Sequence, residues 1–216
     1  MTGLFRRNPL DSLRNKVEKI MKKDIILAGV GGQGILSIAA IIGYASVEAG
    51  LNVKQSEVHG MSQRGGDVYS HFRLSDKEIA SDLIPFGKAD MIISVEPMES
   101  LRYLPMLAMD GWVITNTKPF VNIPNYPPIE KLMLEIESLP HHVALDADEI
   151  AHGLKSPKSA NIVTLGAASL FLDIDYVKLE NAIRLLFRPK GESVIEANLK
   201  ALSAGKDYAE KHIVLA

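Results

Sequence analysis

The stretch D-I-I-L-A-G-V-G-G-Q-G-I-L-S, from Asp24 to Ser37, joins two apolar runs through four glycines. The first run has the length of a buried strand. The second opens Ile35–Ala49, which carries no charge before Glu48. A helix that is apolar on all sides is usually buried on more than one face. The stretch therefore predicts a strand, a glycine turn and a buried helix.

The glycines of this turn follow the spacing G-x-G-x-x-G at Gly29, Gly31 and Gly34, with an additional Gly32. Glycine permits a tight turn and lets a ligand approach the backbone, and a helix N-terminus favours a phosphate or a carboxylate. Gln33 is expected to point its carboxamide into the cleft above the strand ends. A tight strand-to-helix crossing without a ligand is the alternative interpretation.

Strand and helix patterns alternate along the rest of the chain. We predict strands at Asp24–Ala28, Asn52–Val58, Val68–Leu74, Met91–Val95, Val113–Thr115 and Val143–Leu145, and helices at Ile35–Ala49, Glu99–Ala108 and Glu130–Ser138. Glu78–Ser81 is expected to return as the second strand of a hairpin near 68–81. The pattern predicts an α/β, Rossmann-like three-layer domain over 21–216, with a mainly parallel sheet and a helical C-terminal part.

A second motif, V-H-G-M-S-Q-R-G-G, runs from Val58 to Gly66. A guanidinium at Arg64 is able to grip a phosphate or carboxylate at two points, or to brace loop carbonyls instead. The remaining candidate residues offer hydrogen bonds or close backbone approach: His59, Ser62, Gln63, Gly65 and Gly66. Asn161 is expected to cap a helix or to join the same crevice.

Composition excludes several classes of chemistry. The chain has 216 residues, 47% of them hydrophobic, a net charge of −2 and no cysteine. Without cysteine it forms no disulfide and cannot ligate zinc or an iron–sulfur cluster through thiolates. His141-His142 lacks a third ligand, so we expect no metal site. Nothing indicates nucleic acid, a membrane span or a signal peptide, and we expect a cytoplasmic protein.

Residues 1–20 differ from the rest of the chain. Asn8 and Pro9 are typical of a helix start, and Leu10, Leu13, Val17 and Ile20 then fall at helical spacing in a strongly basic segment. We expect a basic helical extension, either packed on the body of the protein or serving as a docking arm for a partner subunit. A third possibility is that Met21 is the biological start.

Two enzyme classes share the glycine turn. In a nicotinamide dehydrogenase an acidic residue ends the second strand, and Glu57 stands 23 positions after Gly34. The loop that follows does not suit that class, so a free-standing NAD(P)-binding oxidoreductase remains the alternative. Adenylate-forming activators of ubiquitin-like proteins also use such a turn. They are typically longer and often carry cysteines, which this chain lacks.

The two motifs together resemble the gamma-type subunits of 2-oxoacid:ferredoxin oxidoreductases. The wording S-E-V-H-G-M-S-Q-R-G-G at Ser56–Gly66 is most similar to the beta subunits of indolepyruvate ferredoxin oxidoreductases. Further matches lie at Glu96-Pro97, at Leu101–Leu104 and around Asn161, and the resemblance covers Lys22 to about Tyr208.

The resemblance implies one subunit of an enzyme of anaerobic amino-acid catabolism. That family decarboxylates arylpyruvates oxidatively with coenzyme A and reduces ferredoxin. Thiamine diphosphate, magnesium and the 4Fe-4S clusters belong to the large alpha subunit, and the chain has no G-D-G…N-N signature for thiamine diphosphate. No catalytic residue is therefore assigned here. The resemblance implies a domain that binds coenzyme A or closes the active site of its partner. A third possibility is a pure assembly scaffold whose glycine turn binds no ligand.

Overall fold

A computed structural model describes residues 21–59 and 66–213, with only the backbone of His59. Within these residues the strands are β1 (Lys22–Val30), β2 (Asn52–His59), β3 (Asp67–Ser75), β4 (Ala89–Ser94), β5 (Leu107–Asn116) and β6 (His142–Leu145). The helices are α1 (Ile35–Glu48), α2 (Pro97–Arg102), α3 (Ile129–Glu137), α4 (Ala147–Gly153), α5 (Ala160–Ala168), α6 (Tyr176–Phe187) and α7 (Glu192–His212). The expected α/β class is confirmed, whereas the N-terminal extension lies outside the described residues.

The six strands form one sheet in the order β2-β3-β1-β4-β5-β6. β4 pairs with β1 and β5 in parallel, β6 continues this parallel set, and β3 runs antiparallel to both β1 and β2. After β1 the chain moves to one side of the sheet, and it later crosses to β4 on the other side. Ligands of open α/β sheets bind where the strand order reverses in this way. The glycine turn lies at that point, between the ends of β1 and β4.

Helices cover both faces of the sheet. The larger core lies between the sheet and the layer of α1 and α4–α7, and it includes Ile25, Leu27, Ile38, Ile93 and Leu165. A smaller cluster around Ile26, Ile92 and Met106 lies on the other face, where α2, α3 and residues 76–88 pack. Within the two described stretches, no helix combines the length and the apolar character that crossing a bilayer requires.

The predicted returning strand at Glu78–Ser81 does not form. Both edges of β3 are already occupied, by β1 on one side and β2 on the other. Arg73 of β3 instead holds the following segment, because its Nη1 donates to Ser81 O at 2.9 Å and to Leu83 O at 3.0 Å. The hairpin of β3 is therefore made with β2, which precedes it.

The predicted helix at Glu99–Ala108 is shorter in the structure. α2 ends at Arg102, and a single 3-10 turn at Leu104–Met106 leads directly into β5. Pro105 cannot donate a helical hydrogen bond, which explains why the helix stops before it. β5 consequently begins six residues earlier than predicted.

Candidate functional site

The glycine turn requires glycine at two positions for different reasons. A Cβ on Gly29 would lie 2.5 Å from Val95 Cγ2, so this residue lets β1 approach the end of β4 closely. Gly34 has a φ of +86°, which L side chains rarely adopt, and a Cβ there would lie 2.6 Å from Asn161 Nδ2. The turn is thus fixed against both β4 and α5.

Gln33 lines the crevice, but its carboxamide is bound to backbone. Its Oε1 accepts a hydrogen bond from Val30 N at 2.8 Å, and its Nε2 donates to Val95 O at 3.3 Å. The side chain therefore joins the end of β1 to the end of β4. Its contribution to a ligand is indirect, through the shape of the turn.

The end of the second motif lies against the turn. Gly31 N donates to Gly66 O at 2.8 Å, so that N–H is already used within the protein. The backbone of His59 pairs with Val68 at the end of β2. Ser62, Gln63, Arg64 and Gly65 lie outside the described residues, and their place in the crevice stays a prediction.

Asn161 joins the crevice by a contact that the sequence did not predict. It lies inside the first turn of α5, which begins after Ser159 without a side-chain cap. Its Nδ2 donates to Gly34 O at 3.0 Å. The expected helix cap is therefore wrong, and the residue instead attaches α5 to the first turn of α1.

A close helix crossing holds α5 in this position. A Cβ on Gly166 of α5 would overlap Leu202 O, and one on Gly205 of α7 would overlap Val163 O. The two helices thus meet backbone to backbone. This contact places the first turns of α1, α5 and α7 around one space.

Two neighbouring cavities share the floor of this crevice. The smaller, of about 370 Å³, is lined by Gly32, Gln33, Val95, Asn116, Asp148, Pro157, Lys158, Ala160, Asn161 and Thr164. The larger, of about 470 Å³, is lined by Gly32, Gln33, Gly34, Ser37, Ser156, Lys158, Ser159, Asn161, Phe187, Lys190, Ser193, Val194, Ala197 and Asn198. Among the described residues that line the larger cavity, none is acidic.

The larger cavity has the character of an anion site. Lys158 and Lys190 contribute positive charge, and the helix dipoles of three first turns point their positive ends toward the space. Ser37 and Ser193 add hydroxyl groups from α1 and α7. The smaller cavity is more mixed, because Asp148 faces it and accepts from Asn116 Nδ2 at 2.8 Å.

The sequence analysis missed the two lysines, Asn116 and Asp148. Asn116 ends β5 and Asp148 follows β6 closely, so the rule that parallel strands direct ligand groups from their carboxyl ends would have identified both. Lys158 and Lys190 carry no comparable signal, because only the packing of α5 and α7 brings them to the turn.

A buried acidic cluster supports the end of β4. Glu96 is fully buried and accepts hydrogen bonds from Glu99 N, from Phe120 N and from the Tyr126 hydroxyl. Glu99 pairs with Arg102, at 2.7 Å between Oε2 and Nε. Burial raises the pKa of Glu99 above its ordinary value, although the bond to Arg102 opposes this shift. The cluster thus ties α2 and the segment after β5 to the end of β4.

The part of the chain that the structure describes offers no ligand set for an iron–sulfur cluster or another metal centre. It contains no cysteine, and the described residues include no group of three or more metal-ligating side chains. The crevice does fit the phosphates of a nucleotide-like ligand, because lysines, serines and helix N-termini surround it.

Comparisons with known proteins agree with the fold and add the family. Residues 24–208 match the model of the pyruvate ferredoxin/flavodoxin oxidoreductase family. Indolepyruvate oxidoreductase subunit IorB of Pyrococcus horikoshii is 36% identical, over 89% of this chain and 98% of that protein. The subunit IorB of Archaeoglobus fulgidus is 37% identical, over 88% and 96% respectively. 2-Oxoglutarate synthase subunit KorC of Methanocaldococcus jannaschii is 30% identical, over 91% and 99%.

Solved structures share the fold at low identity. The 2-oxoglutarate:ferredoxin oxidoreductase of Magnetococcus marinus, solved with 2-oxoglutarate, coenzyme A and succinyl-CoA, superposes with a TM-score of 0.70 at 23% identity. The match covers 88% of this chain but only 31% of that longer one. The gamma subunit of a keto/oxoacid ferredoxin oxidoreductase from Geobacter sulfurreducens gives a TM-score of 0.65 at 23% identity, over 88% and 99%. The chain thus belongs to the pyruvate ferredoxin/flavodoxin oxidoreductase family, as an oxidoreductase subunit similar to IorB.

Proposed function

We propose that this chain is the small subunit of an indolepyruvate ferredoxin oxidoreductase. The complete enzyme converts an arylpyruvate and coenzyme A to an arylacetyl-CoA and carbon dioxide, and it passes the electrons to ferredoxin. The names of the IorB relatives support this substrate class. Residues 21–216 form the single domain of this subunit, and the complete enzyme acts in the cytoplasm.

The proposal divides the chemistry between two chains. Thiamine diphosphate, magnesium and the 4Fe-4S clusters on a large alpha subunit supply bond cleavage and electron transfer. This chain supplies no redox group, which agrees with its lack of cysteine. Its own residues bind and orient coenzyme A and exclude water where the two subunits meet. Ferredoxin is reached through the complex.

One observation carries the role of this chain, namely the cavity beside the glycine turn. Lys158, Lys190 and the first turns of three helices surround it, and coenzyme A carries its negative charge on phosphates. We assign the phosphate contacts to Lys158 and to the turn at Gly32–Gly34. Arg64 is assigned to the same ligand as a two-point oxyanion contact.

The first test is reconstitution with an alpha-type subunit under anaerobic conditions. The isolated chain should not reduce a viologen dye with indolepyruvate and coenzyme A, whereas the mixture should. Turnover by the chain alone would refute the division of labour.

The second test concerns the assigned side chains in the reconstituted complex. Lys158→Ala should raise the KM for coenzyme A by about tenfold, the lower end of what a hydrogen bond to a charged group contributes. Lys131→Ala, on the exposed surface of α3, is the control and should leave KM unchanged. Arg64→Ala should reduce turnover by about thirtyfold or more, and Arg64→Lys should restore it only partly.

Size-exclusion chromatography accompanies both measurements. Normal KM values for coenzyme A in both Lys158→Ala and Arg64→Ala would show that coenzyme A does not bind in this crevice. Loss of assembly without any effect on KM would assign Arg64 to the subunit interface instead.

A further inference from the structure

Two neighbouring helices expose an apolar surface on the side of the sheet that holds the larger core. On α1, Leu36, Tyr44 and Val47 are 51%, 48% and 65% exposed, and Ala40 lies on the same stripe between them. Val177 and Leu185 of α6 are each 55% exposed. We call these six residues the α1–α6 face.

Contacts at one end show how the two helices are aligned. Lys178 Nζ donates to Glu48 O at 3.1 Å, and Asn181 Nδ2 donates to Glu48 Oε1 at 2.9 Å. The first turns of α6 therefore meet the last turn of α1, and the helices run antiparallel. Leu185 lies on the same side of α6 as Lys178 and Asn181, which both contact the end of α1. The exposed apolar side chains of α1 and α6 therefore form one surface.

The described chain begins at the foot of this face. Met21 packs against the larger core, as Leu51 and Val53 also do, and its O accepts from Asp76 N at 3.0 Å. Lys23 Nζ lies 2.9 Å from Asp173 Oδ2, immediately before α6. Met21, the first described residue of this stretch, therefore lies on the α1–α6 side of the sheet.

Residues 1–20 have the length, pattern and charge to cover the face. Their apolar positions Leu10, Leu13, Val17 and Ile20 would span about 15 Å as a helix, and the α1 stripe spans about 16 Å. The segment carries Arg6, Arg7, Arg14, Lys16 and Lys19 against two acids. At this end of the face Glu48, Asp173 and Asp175 are exposed acids, and Lys178 and Lys23 already pair with the first two.

We propose that residues 8–20 form an amphipathic helix that docks its apolar side on the α1–α6 face of the same chain. The family match begins only at residue 24, so the shared fold does not explain this segment. We take this segment of the same chain as the occupant, and a second copy of the chain on the face is the outcome that linkage between chains would indicate.

Pairs of introduced cysteines test the proposal in the full chain, which has no native cysteine. Val17→Cys with Tyr44→Cys places one thiol on the segment and one on the face. The control pair is Val17→Cys with Phe86→Cys, because Phe86 is 77% exposed and precedes β4 at the same end of the sheet, beside the smaller core. At low protein concentration and with a mild oxidant, the disulfide within one chain should form about tenfold faster for the first pair than for the control pair. Docking would raise the effective concentration of one thiol near the other.

A further substitution separates docking from simple tethering. Leu13→Asp in the first pair should remove the preference, because it places a charge in the apolar contact. Asn15→Asp, on the opposite side of the same helix, should preserve it. Equal linkage rates for the two pairs, or linkage only between chains, would overturn the proposal.

Discussion

At the scale of single residues, Gly34 combines two constraints that no other residue type satisfies. Its φ is positive, and Asn161 occupies the space where a side chain would start. Gly34→Ala should therefore lower the free energy of unfolding by about 1–3 kcal/mol, the cost of a left-handed backbone plus a displaced neighbour. Urea denaturation measures the change.

The two parts of that cost are separable. In an Asn161→Ala background the Gly34→Ala substitution should cost less, because only the backbone strain remains. Equal costs in both backgrounds would mean that Asn161 moves aside freely and does not hold the turn.

His71 makes folding stability depend on pH. It is buried in β3, and its Nδ1 accepts from Ile84 N at 3.2 Å, which requires a neutral ring. Burial lowers the pKa of His71 below its ordinary value of 6.5, Arg73 lowers it further, and Asp82 opposes the shift. The folded protein therefore binds this proton less readily than the unfolded chain does.

The unfolding free energy should consequently be highest above pH 6.5 and fall as the pH drops through the interval down to the lowered pKa. His71→Gln accepts the same hydrogen bond without titrating, so it should flatten this part of the profile. Urea midpoints measured between neutral and mildly acidic pH provide the comparison. An unchanged slope in the variant would assign the dependence to other groups.

At the scale of elements, the crossing of α5 and α7 positions one wall of the crevice. Gly205→Ala would push a methyl group into the backbone of α5. We expect a loss of stability at or above the upper end of the roughly 1–3 kcal/mol that overpacking costs. In the reconstituted enzyme the KM for coenzyme A should rise as well, because Ser193 and Lys190 move with α7.

Gly153→Ala in α4 is the matched control. Nothing lies within 4 Å of the position where its Cβ would be built. Alanine should be neutral there or stabilise the helix by up to about 1 kcal/mol. Similar behaviour of the two variants in thermal unfolding would show that the crossing tolerates a wider separation.

At the scale of the whole molecule, the strand order argues against a nicotinamide enzyme. In dinucleotide-binding sheets the second strand lies beside the first and carries the ribose-binding acid. Here β3 separates them, and Glu57 stands in the row of Ser70 and Leu27, about 10 Å across the sheet from β1. We predict no heat of NADH binding in calorimetry at physiological concentrations. Micromolar affinity that is lost in Glu57→Ala would favour the NAD(P)-binding alternative instead.

Local signals and long-range packing explain what the sequence could and could not predict. The strand at Asp24–Ala28 and the turn after it were predictable, because apolar runs and glycine spacing are local. The insertion of β3 between β1 and β2 was not, since alternation in a strand does not reveal its partners. The sequence predicts a strand at Ile79. The structure instead buries this side chain in a loop, which Arg73 holds through its hydrogen bond to Ser81 O.

The candidate site divides in the same way. Gly29 and Gly34 were identified from spacing alone, and the structure gives each a steric reason. Lys158 was missed because its part in the crevice depends on the contact between Asn161 and Gly34, which joins residues 127 positions apart. No local pattern encodes a contact of that range.

The glycine contact between α5 and α7 also orders events during biosynthesis. The turn at Gly29–Gly34 leaves the ribosome early, whereas α7 follows every strand and every other helix in the described part of the chain. In a nascent chain the crevice therefore lacks the side formed by α7 until the whole sheet has been translated. A ligand or a partner that needs this wall must wait for it, so assembly through the crevice is expected to be post-translational.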